Sequence, residues 1–167
     1  MNPALHSSKK DTWGTPQLIR DAVYAFAPMD DVHDPCPGDT PVGAYLLNAH
    51  PDGLVKQWPA NGVVYVNSPY GTALKHWVNK CAVEAAGGCE IIALVTARPD
   101  TRWFAQALNT SQSLCLISGR LTFMGAQHPA PFPSCLFYWG IRARRFNKIF
   151  GPLGNIVIPL NGGSDGS

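Results

Sequence analysis

Asn67-Ser68-Pro69-Tyr70 ends an apolar run, VVYV at 63–66, with an amide, a hydroxyl, a rigid ring and an aromatic ring. Asn, Ser and Pro are common turn residues, and a plain turn accounts for them. The same four residues also make a clamp for an exocyclic amino group. Asn67 offers a side-chain oxygen, and Ser68 a main-chain oxygen whose direction Pro69 restricts. Tyr70 offers a flat face to a ring. Two other apolar runs end in polar residues, DPCPGD at 34–39 and TARPDTRW at 96–103.

The elements that carry these ends follow from periodicity. Thr15-Pro16 predicts a helix start, Thr15 as N-cap and Pro16 at the first helical position. Leu18, Ile19, Ala22, Val23 and Phe26 then recur at helical spacing. Residues 29–34 read as a short strand, 44–48 as a short element and 62–66 as a buried strand. Leu74, Trp77, Val78, Cys81, Ala82 and Ala85 mark one helix face, ended by Gly87-Gly88. EIIALVT at 90–96 is a continuous apolar strand, followed by a short helix from Asp100 with Trp103, Phe104, Ala107 and Leu108 on one side. Beyond it SLCLIS, RLTFM, SCLFYWG and NIVIPL read as strands. Arg120 opens an expected hairpin, and RARRFNK at 142–148 an expected hairpin turn. Trp77, Phe137 and Trp139 belong to the expected core. Alternation of strand and helix followed by strands predicts an α/β fold, its sheet mostly parallel with a late antiparallel section. Such sheets bind ligands at the carboxyl ends of their strands.

A chain of 167 residues with 46% hydrophobic content suits one domain, expected over 11–160. The polar residues 1–10 and the Gly/Ser-rich 161–167 are expected to be disordered. No apolar run reaches the ~18 residues of a membrane span. The start MNPALHSSKKD has no apolar signal core, so the expectation is a cytoplasmic protein. Five cysteines without a CxxC pair predict buried thiols in a reducing compartment and no structural zinc. His76 and His128 have no partner at metal or triad spacing, so neither a metal nor hydrolase chemistry is expected. The charge is divided: six Lys/Arg against nine Asp/Glu through residue 95, then seven against two. A basic second half suits a polyanion, and equally a solvated face.

Seven segments, taken in order, resemble the amino-group DNA methyltransferases that use S-adenosyl-L-methionine, and more narrowly the phage-type Dam-like DNA N6-adenine methyltransferases. They are DTWGTP (11–16), HDPCP (33–37), DGLVKQW (52–58), NSPYG (67–71), TARPDTRWF (96–104), GRLTF (119–123) and APFPS (130–134). The resemblance implies a trimmed Rossmann-like methyltransferase fold, since only residues 35–66 separate Asp34 from Asn67. It implies that Asn67 and the Ser68 carbonyl hold the two N–H bonds of an adenine amino group, with Pro69 setting the carbonyl and Tyr70 stacking on the base. A base inside a duplex cannot reach such a clamp, so a flipped base or a single strand follows. Ser68 departs from the proline the family carries there, which loosens the turn and keeps the carbonyl.

For the cofactor the resemblance points to Trp13, Thr15 and Pro16, to Asp34, Pro35 and Cys36 at the first strand tip, and to Asn67. Asp52 is the candidate for ribose hydroxyls, with a surface turn as the alternative. For DNA the candidates, by their place after strand tips and in loops, are Arg98, Arg102, Trp103, Arg120, Phe132, Arg144 and Arg145, Trp103 serving as packing or as a groove wall and Phe132 as a wall of the base pocket. A monomer is expected, with protection from host restriction as the setting a phage-type relative suggests. Three alternatives stay open: the N4 of cytosine as acceptor, a protein side-chain amide, and a catalytically silent module that binds DNA or cofactor.

Overall fold

The computed structural model describes residues 13–43, 45–46 and 53–160; the terminal segments expected to be disordered, and Asp52, lie outside them. Seven strands form one open sheet. They are β1 (Val32–Asp34), β2 (Tyr45–Leu46), β3 (Val63–Val66), β4 (Glu90–Thr96), β5 (Ser113–Ile117), β6 (Ser134–Trp139) and β7 (Gly154–Val157). Their spatial order is β2-β1-β3-β4-β6-β5-β7. The first four are parallel, and β6, β5 and β7 each pair antiparallel with their neighbours. The expected change from a parallel to an antiparallel section is thus present.

The continuous apolar runs become strands covered on both faces, as parallel sheets require. On one face Tyr65, Ile92, Leu94, Leu136 and Tyr138 pack with α1 (Gln17–Phe26) and α4 (Ala143–Phe150). On the other, Val64, Val66, Ile91, Ala93, Val95, Phe137 and Trp139 pack with α2 (Leu74–Ala86) and α3 (Arg102–Thr110). Thr101 caps α3 by accepting from the Phe104 N–H. All five cysteines are free, four of them buried. No helix among the described residues is long and apolar enough to cross a membrane.

Several expectations need correction. Thr15 does not cap α1: Pro16 holds the N-cap position, and the Thr15 hydroxyl turns to Tyr65 instead. Leu18 is 53% exposed, outside the buried stripe of Ile19, Ala22, Val23 and Phe26. RLTFM forms no strand beyond an isolated bridge between Gly14 and Met124, so Arg120 opens no hairpin. RARRFNK is not a hairpin turn; its Ala143 onward is helix α4, because Phe146 and Phe150 meet Phe26 and Tyr138 in the core.

The order of the strands places the site. From β1 the chain crosses to β2 on one side, and the later strands build outward on the other side from β3. The crevice between the carboxyl ends of β1 and β3 is therefore where an open α/β sheet takes its ligand.

Candidate active site

Asp34 ends β1 and Asn67 follows β3, so the sheet alone brings these two to the crevice. A cavity of about 220 Å³ lies there, lined by residues 13–15, 34, 36–40, 67 and 124–125. Trp13, Thr15, Asp34, Cys36 and Asn67 converge on it; Pro16 and Pro35 are buried but outside the lining. At Gly14 a Cβ would stand 2.5 Å from Thr40 Oγ1 and 2.9 Å from Met124 Cβ, so only glycine lets these three segments close together.

Asn67 is held by its nitrogen. Nδ2 donates to the Trp13 carbonyl at 2.7 Å and to Thr15 Oγ1 at 3.1 Å. A carbonyl only accepts, so this contact settles which end of the amide is which. Oδ1 is left buried with no partner among the described residues. Thr15 in turn meets the Tyr65 hydroxyl at 3.0 Å. The amide is thus fixed from behind, with its acceptor end unclaimed.

Asp34 organises the loop that forms the far wall. Its two oxygens accept from the Cys36 N–H at 3.0 Å and the Val42 N–H at 2.8 Å. Arg20 braces the same loop from α1, donating to the Thr40 and Pro41 carbonyls at 3.3 and 2.8 Å. Burial pushes the Asp34 carboxyl up to about 6, against the opposing pull of the Val42 and Cys36 N–H groups and Arg20. Burial likewise raises the Cys36 thiol to about 12, which keeps it neutral.

Tyr70 is half-buried. Its ring stands edge-on to Phe123 at 5.7 Å and tilted to Phe132 at 5.1 Å. Its hydroxyl is enclosed without a partner among the described residues, as is Ser68 Oγ. Phe132 therefore stands beside Tyr70, as a wall of a ring pocket would.

The cationic candidates separate into two groups. Arg98 and Arg102 follow β4 at the edge of the sheet that carries the cavity, both exposed, with Arg98 paired to exposed Asp100 at 3.3 Å. Trp103 packs on Phe104 at 5.8 Å. Arg120 is exposed in the segment after β5. Arg144 and Arg145 begin α4 at the opposite edge. Arg145 donates to the Phe26 and Ala25 carbonyls at 2.9 and 3.0 Å, closing the end of α1. That engagement gives Arg145 a structural role at the end of α1, and Arg144 stands exposed beside it.

Sequence reasoning missed Tyr65, Arg20 and the 124–125 segment. Tyr65 reads as one more core residue of VVYV, and its only signal was a polar atom two positions before Asn67. Arg20 reads as the solvated face of a helix. Met124 and Gly125 reach the cavity only because Met124 N donates to the Gly14 carbonyl at 2.9 Å, a pairing across 110 positions. Among the described residues, no group of three or more His, Cys, Asp or Glu could hold a metal.

A profile of the DNA N-6-adenine-methyltransferase (Dam) family matches residues 3–133. No curated protein matches the chain. That match spans α1, the cavity, NSPY and the Tyr70 surroundings, and the chain belongs to the DNA N-6-adenine-methyltransferase (Dam) family, whose activity is methylation of the N6 amino group of adenine in DNA.

Proposed function

We propose that this methyltransferase takes its methyl group from S-adenosyl-L-methionine bound at the β1/β3 crevice and delivers it to an adenine extruded from DNA. The observation that carries the reading is Asn67, a residue of the cavity lining: its amide is locked through Nδ2, and among the described residues its buried oxygen is unpaired. The donor set suits this cofactor. Asp34 and Asp39 face the cavity, Thr15 and Thr40 add hydroxyls, and no lysine or arginine is among its described lining. A cation with an amino-acid tail is the ligand such a lining favours. The volume is below the ~300–1,000 Å³ of common ligand pockets, so the described walls enclose the methionine end and the rest extends beyond them. Pro35 and Pro16 support these walls from behind. Asp52 remains the candidate for ribose. The sheet order supports reading the fold as a trimmed Rossmann-like methyltransferase.

When bound, S-adenosyl-L-methionine supplies an electrophilic methyl on a sulfonium. The protein's part is to make the acceptor nucleophilic. An aryl amine is a poor nucleophile because its lone pair is delocalised into the ring. Asn67 Oδ1 and the Ser68 carbonyl each accept one N–H, drawing the nitrogen toward tetrahedral geometry and freeing the pair. Pro69 confines Ser68 to extended backbone, which aims that carbonyl. Tyr70, braced by Phe123 and Phe132, offers its remaining face for stacking. Positioning against a ready leaving group carries the rate. Arg98, Arg102 and Arg120, exposed at the carboxyl-end edge of the sheet, hold the DNA backbone, with Trp103 packed against Phe104.

The test is nucleoside mass spectrometry of DNA incubated with the protein and methyl-labelled cofactor. Label in N6-methyladenine is expected. Label in N4-methylcytosine, or none in any nucleoside, contradicts the proposal.

A further inference from the structure

Tyr65 carries the only polar side-chain atom of VVYV, and its side chain is 0% exposed. Among the described residues its hydroxyl has one partner, Thr15 Oγ1 at 3.0 Å. A phenol proton in so dry a place has to be donated, and with one neighbour it goes to Thr15. Thr15 Oγ1 also accepts from Asn67 Nδ2 at 3.1 Å, so both of its lone pairs are filled. Its own proton must then point away from both neighbours, and Thr15 lines the cavity.

We propose that Tyr65 is a positioning residue for methyl transfer. By donating to Thr15 it fixes the polarity of a three-residue hydrogen-bond chain. That chain holds the Asn67 amide with its oxygen free, and it presents the Thr15 hydroxyl proton to an acceptor group of the bound ligand, a carboxylate in the amino-acid end of the cofactor. The inference rests on reading the cavity as the methyl-donor site. Tyr65 touches neither reactant; it acts through Thr15. Stacked on the core face beneath the cavity, it would otherwise pass for packing, and a packing role makes different predictions.

The experiment uses the full chain with Tyr65→Phe, Thr15→Val, their combination, and Thr15→Ser. Two quantities are read, methyl-transfer kcat with KM for the cofactor, and thermal unfolding without cofactor. Tyr65→Phe is expected to lower kcat about 2–10-fold, the worth of one neutral hydrogen bond. In the Thr15→Val background the same change is expected to cost nothing further, because its route to Asn67 is already cut. Thr15→Ser, which keeps the hydroxyl, retains the dependence on Tyr65. In unfolding, Thr15→Val strands a buried phenol, so the double variant melts higher than Thr15→Val alone. An equal kcat loss from Tyr65→Phe in both backgrounds overturns the proposal, and so does a double variant that melts no higher. Absence of transfer by the unmodified protein would sink the functional reading instead, and the melting comparison would still decide the hydrogen-bond chain.

Discussion

At the amino-terminal edge of the sheet, Arg142 donates to both oxygens of Glu90 at 2.7 and 2.9 Å, and its guanidinium lies 4.6 Å from the Phe26 ring centre. Tyr138 donates to the same carboxylate and accepts from the Arg142 N–H. Arg145 closes α1. At the carboxyl-terminal edge, Asn67 Oδ1, Ser68 Oγ, Tyr70 OH and Ser134 Oγ are buried with no partner among the described residues. An unmet buried polar group costs ~1–3 kcal/mol, so a cluster of them at one edge is not a neutral accident of packing. The comparison separates two uses of polar residues in one fold. Where donors meet acceptors, as at Glu90, Tyr138 and Arg142, the residues hold elements together. Where acceptors wait, a ligand has a place to bind.

Each variant below presses on that contrast. Tyr70→Ala is expected to lower kcat/KM for DNA roughly 10–100-fold, since base stacking on an aromatic ring is worth ~1–3 kcal/mol. Steady-state kinetics on an oligonucleotide checks it, and an unchanged value would leave Tyr70 as packing for Phe123 and Phe132 alone. Acidity comes next. A bound cation stabilises ionised Asp34 and so lowers a carboxyl that burial has raised to about 6. Cofactor affinity should therefore be full above that pH and fall below it, by at most ~10-fold per pH unit, in calorimetric titrations. In the ligand-free protein the sign reverses. A folded value above the ordinary carboxylate 3.8 means that this group's contribution to stability is present below about 4 and lost as pH rises through about 6.

Smaller effects distinguish the arginines. Arg98→Ala or Arg102→Ala should reduce the salt slope of DNA binding by about 1 for each phosphate contact removed. Arg144→Ala should leave that slope unchanged, because its position is at the far edge. A lost slope with Arg144→Ala would move the DNA to the wrong side of the sheet. Arg142→Ala, the mildest, should lower Tm by about 2–4 °C for each ~1 kcal/mol lost and leave kcat untouched. Calorimetry beside the transfer assay shows both.

The contrast also explains what could be read in the sequence. EIIALVT and the α2 face carry strong periodicity, and they form the expected elements. Asp34 and Asn67 stood out as polar ends of apolar runs, a signal of position along the chain. Thr15 followed a local capping rule that lost to partners fifty positions away, Tyr65 and Asn67. The α4 residues Phe146, Ile149 and Phe150 have helical spacing, but four cations in RARRFNK conceal it. Leu121 and Phe123 alternate like strand residues and are buried, yet only the Gly14–Met124 bridge gives that segment a ladder partner. Alternation records which side faces the core; it does not supply a neighbouring strand. The cavity wall at 124–125 and the brace from Arg20 exist only in three dimensions.

The central claim concerns one oxygen atom, and single-turnover methyl transfer by Asn67→Ala, with cofactor binding followed in parallel, addresses it most directly. The account predicts that cofactor still binds while the transfer rate falls ~100–1,000-fold, the scale of removing one preorganised polar group from a reaction centre. A variant that binds cofactor and transfers within about threefold of the unmodified protein, far inside that scale, would contradict it.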